Sequence, residues 1–331
     1  MILAGDVGGT KCNLGLFEER GPSLHLVMQR RYATGEFACL EELIERFFRE
    51  CAQESGAAIQ GNIDAAGFGV AGAMVEGRLV SNNIPWELSA TALAGKLHLD
   101  LEQLVLINDL VATAYGLVHL TPQDFLVLNS GAPQFNGNQA LIAAGTGLGE
   151  AMIFWDGRQH RASPSEGGSA DFAPRSDREI AFLTFLKKRL TRVSCEELFS
   201  GRGFRPIHEF LAPDIRHASF ERAAGESAQE ITQNALTGSC PACVETLDFW
   251  TDAFGAESGN LALRVLAYGG VYLAGGIAVK ILPLLQKSTF CTAFADKGPL
   301  GPILENIPIA VVLNEDAPIL GAAYAALRAA S

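Results

Sequence analysis

Apolar and small residues run almost unbroken through Ile2–Ala4, and Cys12, Leu14 and Leu16 alternate with polar or small positions up to Phe17. Both patterns predict β-strands, and Leu24–Tyr32 reads as a third. From Phe37 to Ala52 the period changes. Leu40, Leu43, Ile44, Phe47, Phe48 and Cys51 fall on one face of a helix. Ala65–Ala71 predicts another strand, in which Gly67, Gly69 and the following Gly72 mark close backbone approach. Met74–Asn82 reads as a hairpin turning at Glu76-Gly77, and Leu88–Leu97 as a helix. Leu104–Ile107 is a buried strand ending in Asn108-Asp109, with Leu110–His119 the helix behind it.

This β-β-β-α-β-α order closes one domain, and a similar pattern then restarts. Strands are expected at Phe125–Leu128, Ala140–Ala144 and Ala151–Trp155. Helices follow at Asp177–Arg189 and Ala242–Leu266, the second with room for a break near Glu257-Ser258-Gly259. Gly270–Ala274 is a strand, Gly275-Gly276 a turn and Ala278–Gln286 a helix. Ile309–Leu313 is the last strand. Ala317–Ala329 is the last helix, with Asp316 read as its N-cap.

Two glycine loops stand at matching points of this repeated pattern. One is Gly5-Asp6-Val7-Gly8-Gly9-Thr10, the other Gly145-Thr146-Gly147-Leu148-Gly149. Glycine permits tight turns and brings bare N–H groups close to an anion. A P-loop would require a Gly-Lys-Ser/Thr sequence opening a helix, and a dinucleotide fingerprint also opens a helix. Here β-patterned sequence leaves both loops, so each is a hairpin turn. Two such turns in one chain suggest a phosphate chain held by backbone N–H groups from two sides.

Composition narrows the classes. A 331-residue chain that is 48% hydrophobic and 19% charged, with 35 glycines, fits a two-domain α/β protein. The net charge of −12 argues against nucleic acid or an anionic membrane as partner. No run of 18 apolar residues and no signal-like N-terminus are present, so the chain is expected in the cytoplasm. Seven cysteines do not form a disulfide framework. Cys240-Pro-Ala-Cys243 lacks a second ligand pair at zinc spacing and reads as reduced thiols at a helix start.

The motifs, taken in order, resemble those of bacterial ATP-dependent glucokinases. The set comprises Asp6-Val7-Gly8-Gly9-Thr10, Ile107-Asn108-Asp109, Gly145-Thr146-Gly147-Leu148-Gly149, Glu166-Gly167-Gly168-Ser169-Ala170-Asp171-Phe172-Ala173-Pro174, Ser200-Gly201 and Leu273-Ala274-Gly275-Gly276-Ile277. The similarity spans nearly the whole chain. It implies an actin-like ATPase (ribonuclease H-like) fold with a duplicated β-β-β-α-β-α core and an inter-domain cleft. Residues 1–109 with 315–331 would form a small domain and 110–314 a large one. It also implies glucose and Mg-ATP as substrates, a place at the entry of glycolysis, and a homodimer.

Site roles follow from the same resemblance. Asp109, at the end of a buried strand, would be the general base, although a carboxylate before Leu110 also suits a helix N-cap. Asn83, Asn108, Asp109, Glu166, Ser169 and Glu196 would contact the sugar. Gly5, Asp6, Val7, Gly8, Gly9, Thr10, Gly145, Thr146, Gly147, Gly275 and Gly276 would contact ATP. A carboxylate beside phosphates makes sense only with a cation between them, so Asp6 would hold Mg²⁺ through water. Glu150, just past the second loop, is expected to point away from the phosphates, and Trp86 to pack.

One position departs from the family pattern. Ser169 stands where the family carries a histidine that touches the sugar. Serine is shorter and cannot become cationic, which leaves open a hexokinase with another preference: mannose, fructose or an N-acetylhexosamine. A sugar-sensing regulator or a protein-binding ATPase on the same fold fits less well. The first would carry a DNA-binding segment, and the second would not need Asn108-Asp109 with Glu166 and Glu196.

Overall fold

The computed structural model describes residues 1–21, 23–55, 63–75, 78–80 and 84–330. It divides into two compact units, Met1–Thr121 with Asn314–Ser331, and Pro122–Leu313.

In the first unit, β1 (Ile2–Val7), β2 (Lys11–Arg20) and β3 (Ser23–Ala33) form an antiparallel meander. Then come α1 (Leu40–Ser55), β4 (Ala65–Val70), the short pair β5 (Ala73–Val75) and β6 (Arg78–Val80), α2 (Ala90–Leu97), β7 (Leu104–Asn108) and α3 (Asp109–Leu117). The sheet order is β3-β2-β1-β4-β7, with β1, β4 and β7 mutually parallel. The expected turn at Glu76-Gly77 lies outside the described residues. β4 is buried at every position because both faces of the sheet are covered. On one face, Leu40, Leu43, Ile44 and Phe47 of α1 are buried with Val7, Leu14 and Phe68. Truncating the fully buried Phe47 to alanine would cost about 3–5 kcal/mol.

The second unit repeats the plan. β8 (Phe125–Asn129) precedes a meander of β9 (Gln139–Ala144), β10 (Leu148–Trp155) and β11 (His160–Ser165). A helical insertion follows: α4 (Asp177–Leu186), α5 (Cys195–Phe199), α6 (Phe204–Leu211), α7 (Ala224–Thr237) and α8 (Pro241–Val265). The chain returns through β12 (Gly270–Ala274), α9 (Gly276–Lys280), α10 (Leu282–Leu285), α11 (Phe290–Ala295), α12 (Gly301–Leu304) and β13 (Ile309–Val312). Sheet order β11-β10-β9-β12-β13 reproduces the first sheet, with β8 added antiparallel at the edge.

The last helix, α13 (Ala317–Ala329), belongs to the first unit and covers the other face of its sheet. The approach of α13 and α3 explains the glycines of β4. A Cβ on Gly67 would fall 2.1 Å from the Ala322 carbonyl oxygen, and one on Gly69 2.7 Å from the Ala112 Cβ. α3 and α13 meet at backbone contact, since a Cβ on Gly116 or Gly321 would collide with a carbonyl of the opposite helix. That packing keeps α3 in the first unit, so the division falls at Thr121 rather than at the expected residue 109.

Two local expectations change. α8 runs unbroken through Glu257-Ser258-Gly259. Its Gly255 and Gly259 instead let α11 approach, their missing Cβ atoms lying 2.3 Å from the Phe290 and Phe294 carbonyl oxygens. The expected Ala278–Gln286 helix is two short pieces, α9 and α10, joined at Ile281 with Pro283 in the first turn of the second. β11 has no clear apolar–polar alternation and is a strand because it pairs with β10.

Candidate active site

Both glycine loops are hairpin turns. Val7 pairs with Cys12 across the first, and Ala144 with Leu148 across the second. In the first unit the Gly8 N–H donates to the Lys11 carbonyl at 3.0 Å, and Thr34 Oγ1 donates to the Gly8 carbonyl at 2.7 Å. Gly9 and Thr10 at the tip are exposed. Alternation along β1 sorts the remaining loop residues. Val7 is buried in the core, and a Cβ on Gly5 would meet Phe68 at 2.6 Å, so those two offer only backbone to a ligand. Asp6 lies on the opposite face.

Asp6 pairs with Asn13 on β2 and with Gly69 on β4. Burial, then the charge of Asp109, push its pKa to about 7, with Asp316 adding to the rise and Arg31 opposing it. Asp316 was expected to cap α13. It stands at the N-cap position but makes no cap hydrogen bond. Its Oδ1 instead accepts from Gln29 Nε2 at 2.7 Å and Arg31 Nη2 at 3.2 Å, because β3 brings both donors alongside. Mutually repelling carboxylates, all oxygen donors, suit a hard divalent cation.

Asp109 opens α3 at the end of β7 and is half-buried. Its Oδ1 accepts from the Leu110 N–H at 2.9 Å. Asn108 is the N-cap: its Oδ1 accepts from the Leu110 and Val111 N–H groups at 2.9 and 3.2 Å. Its amide nitrogen donates to the Gly72 carbonyl at 3.0 Å. Asn83 lies outside the described residues. Trp86 packs, buried and donating from its indole N–H to the Phe37 carbonyl at 3.0 Å.

In the second unit, residues far apart in sequence gather at the second loop. The Gly145 N–H donates to the Gly147 carbonyl at 2.9 Å, and the Gly201 N–H donates to the Gly145 carbonyl at 2.9 Å. The Leu148 N–H donates to Glu196 Oε2 at 3.1 Å, and Arg202 binds the other oxygen of that carboxylate. Gly275 has φ +85°, and a Cβ there would lie 2.3 Å from the Ala144 carbonyl, so both its conformation and its surroundings require glycine. A Cβ on Gly276 would meet nothing within 4 Å. Gly145, Thr146, Gly147, Gly275 and Gly276 therefore adjoin one another.

Glu166 and Ser169 are exposed on the turn after β11. The Ser169 N–H donates to the Glu166 carbonyl at 2.9 Å. Arg192, which the motifs did not single out, donates to the Ser169 carbonyl and, at 2.7 Å, to Asp171 Oδ1. Glu150 points inward from β10, 1% exposed, with neither carboxylate oxygen hydrogen-bonded among the described residues. Arg264 Nη1 comes within 3.6 Å, and burial together with Glu257 pushes the pKa of Glu150 to about 7. Elsewhere in this unit, His208 and His217 come beside Cys240 and Cys243, supplying the second ligand pair that linear spacing had not suggested.

The glucokinase family profile matches residues 3–329. The chain belongs to the glucokinase family. A glucokinase of Trichormus variabilis is 38% identical over 347 residues, covering 99% of each chain. Among solved structures, a glucokinase from an Antarctic psychrotroph superposes with TM-score 0.84 at 26% identity, over 99% of this chain and 98% of the other. A ROK-family glucokinase from Streptomyces griseus, in complex with glucose and AMPPNP, has TM-score 0.65 at 20% identity over 99% of both chains and shares the fold. The two repeated sheets are thus those of the actin-like ATPase fold, and this glucokinase-family chain is an ATP-dependent hexose kinase. Among the described residues no helix is long and apolar enough to cross a membrane.

Proposed function

We propose that this chain transfers the γ-phosphoryl group of Mg-ATP to the 6-hydroxyl of D-glucose, giving glucose 6-phosphate and ADP. The observation that carries this reading is Asp109, held at a strand end beside Asp6. Asp109 takes the hydroxyl proton as the sugar oxygen forms its bond to the γ-phosphorus and the bond to the β,γ-bridging oxygen breaks. Its own hydrogen bond to Leu110 and the Asn108 cap keep the carboxylate oriented. Asp6 would hold Mg²⁺ through water, and the bound ion supplies positive charge to the phosphate oxygens.

The backbone N–H groups of Gly9 and Thr10 bind phosphate oxygens, as do those of Thr146 and Gly147, while Gly8 and Gly145, whose own N–H groups close the turns, let the backbone come up to the phosphates. Gly275 and Gly276 lay bare backbone against the adenine and ribose. Glu166 and Glu196 accept hydrogen bonds from sugar hydroxyls, with Asn83, Asn108 and Ser169 as further partners. Acceptors that a bound sugar shuts off from water reject a ligand lacking the hydroxyl, because they would be left unpaired. The enzyme would work in the cytoplasm, as a homodimer, feeding glycolysis.

Ser169 favours a second reading, a kinase with broader or different hexose preference. A coupled ADP-release assay over a panel of hexoses tests both. Glucose-dependent ADP release, lost in Asp109→Ala, is expected. Release with no hexose, or full activity in Asp109→Ala, would refute the mechanism; faster turnover of another hexose would favour the second reading.

A further inference from the structure

Outside the residues assigned to ATP and sugar, four side chains of the second unit converge. His208 lies on α6, His217 precedes the 3-10 turn Ala218–Glu221, Cys240 is the N-cap residue of α8 and Cys243 lies in its first turn. One donor atom from each falls within 4.8 Å of all the others. Cys243 Sγ is 3.2 Å, and Cys240 Sγ 3.8 Å, from His217 Nε2. A tetrahedral zinc ion with bonds of about 2.0–2.3 Å spaces its ligand atoms about 3.3–3.8 Å apart.

Two further observations point to a ligand. His208 is fully buried, and neither ring nitrogen has a hydrogen-bond partner among the described residues. Such an imidazole has given up water without replacement, which a metal bond would restore. On the far side of His217, Nδ1 faces Glu230 Oε1 at 3.9 Å, and the other oxygen of Glu230 accepts from the Ser219 N–H at 2.9 Å. Zinc-bound histidines commonly turn their second nitrogen to a carboxylate, which fixes the tautomer and leaves the first nitrogen's lone pair for the metal. Phe220 packs edge-on against both imidazoles, with centroids 5.2 and 5.3 Å away.

We propose that His208, His217, Cys240 and Cys243 form a structural zinc site. Two sulfur and two nitrogen donors in a tetrahedral cluster select zinc, and four protein ligands leave no open position for chemistry. Each thiol releases its proton to solvent on binding, and both imidazoles bind neutral through a ring nitrogen. The ion clamps α6 and the 3-10 turn to the start of α8, bracing the helical insertion that also carries Glu196 on α5. Nothing in this role touches the phosphoryl transfer.

Metal analysis of protein expressed in zinc-replete medium and purified without chelator tests the site. About one zinc per chain is expected, lost in Cys243→Ser and in His208→Ala but kept in Cys39→Ser, whose thiol lies in the other unit. Should the ligand variants fail to fold, the wild-type chain still decides. After chelation it should bind Co²⁺ with thiolate-to-cobalt charge-transfer bands and a tetrahedral visible spectrum, and its melting temperature should rise on adding zinc. A wild-type chain that takes up neither ion, cobalt bound without thiolate bands, or zinc retained in Cys243→Ser would overturn the proposal.

Discussion

Glu196 Oε2 accepts a hydrogen bond from the Leu148 N–H at 3.1 Å and lies 2.6 Å from where a Cβ on Gly147 would stand. A glutamate assigned to the sugar is therefore seated on the turn assigned to the phosphates. Gly147→Ala should displace this carboxylate and lower kcat/KM for glucose by about tenfold or more, the loss of a hydrogen bond to a charged group. Gly95→Ala, on α2 and assigned to neither substrate, is the control, since a Cβ there meets nothing within 4 Å. Steady-state kinetics with glucose varied would separate them; equal effects would break the proposed link between turn and glutamate.

Asp109 and Asn108 share the start of α3 but should fail differently. Asp109→Asn keeps an oxygen for the Leu110 N–H yet cannot take a proton. It should lower kcat by about 10²–10⁴-fold with little change in melting temperature. Asn108→Ala removes the cap and should cost about 0.5–2 kcal/mol of stability. Denaturant melts alongside the coupled assay would check both.

Glu150 predicts a pH dependence of stability. Its ordinary pKa is 4.5 and its folded value about 7, raised chiefly by burial. Between those values the unfolded chain releases the proton first, so the folded state loses stability as pH rises through that window. Below the window the contribution is complete. Glu150→Gln removes the loss, so its melting temperature should gain on the wild type from pH 4.5 to above pH 7. A constant difference across that range, by scanning fluorimetry, would show that the buried carboxyl is not responsible.

Ser169 is exposed, so Ser169→His introduces an imidazole without crowding a core. The ratio of kcat/KM for glucose over mannose should rise if that imidazole contacts the sugar. An unchanged ratio would mean that another group already compensates, and Arg192, bonded to the Ser169 carbonyl, is the cation at hand.

Much of the fold was legible because its signals are local. Alternation in β2, the helical face of α1 and the glycine turns between paired strands report burial direction and backbone freedom residue by residue. The motif order along the chain carried the family, and with it the two sheets. Local signals could not say which distant faces meet. The continuity of α8, the assignment of α3 to the first unit and the turning of Asp316 toward Gln29 and Arg31 all depend on partners far away in sequence. The two glycine turns were readable as hairpins from the sequence by itself. Only tertiary packing decided that Glu196 and Gly201 hold one of them, and that His208 and His217 complete what Cys240 and Cys243 begin. Turn chemistry is written within a few residues, whereas a constellation needs several elements to bury their surfaces together first.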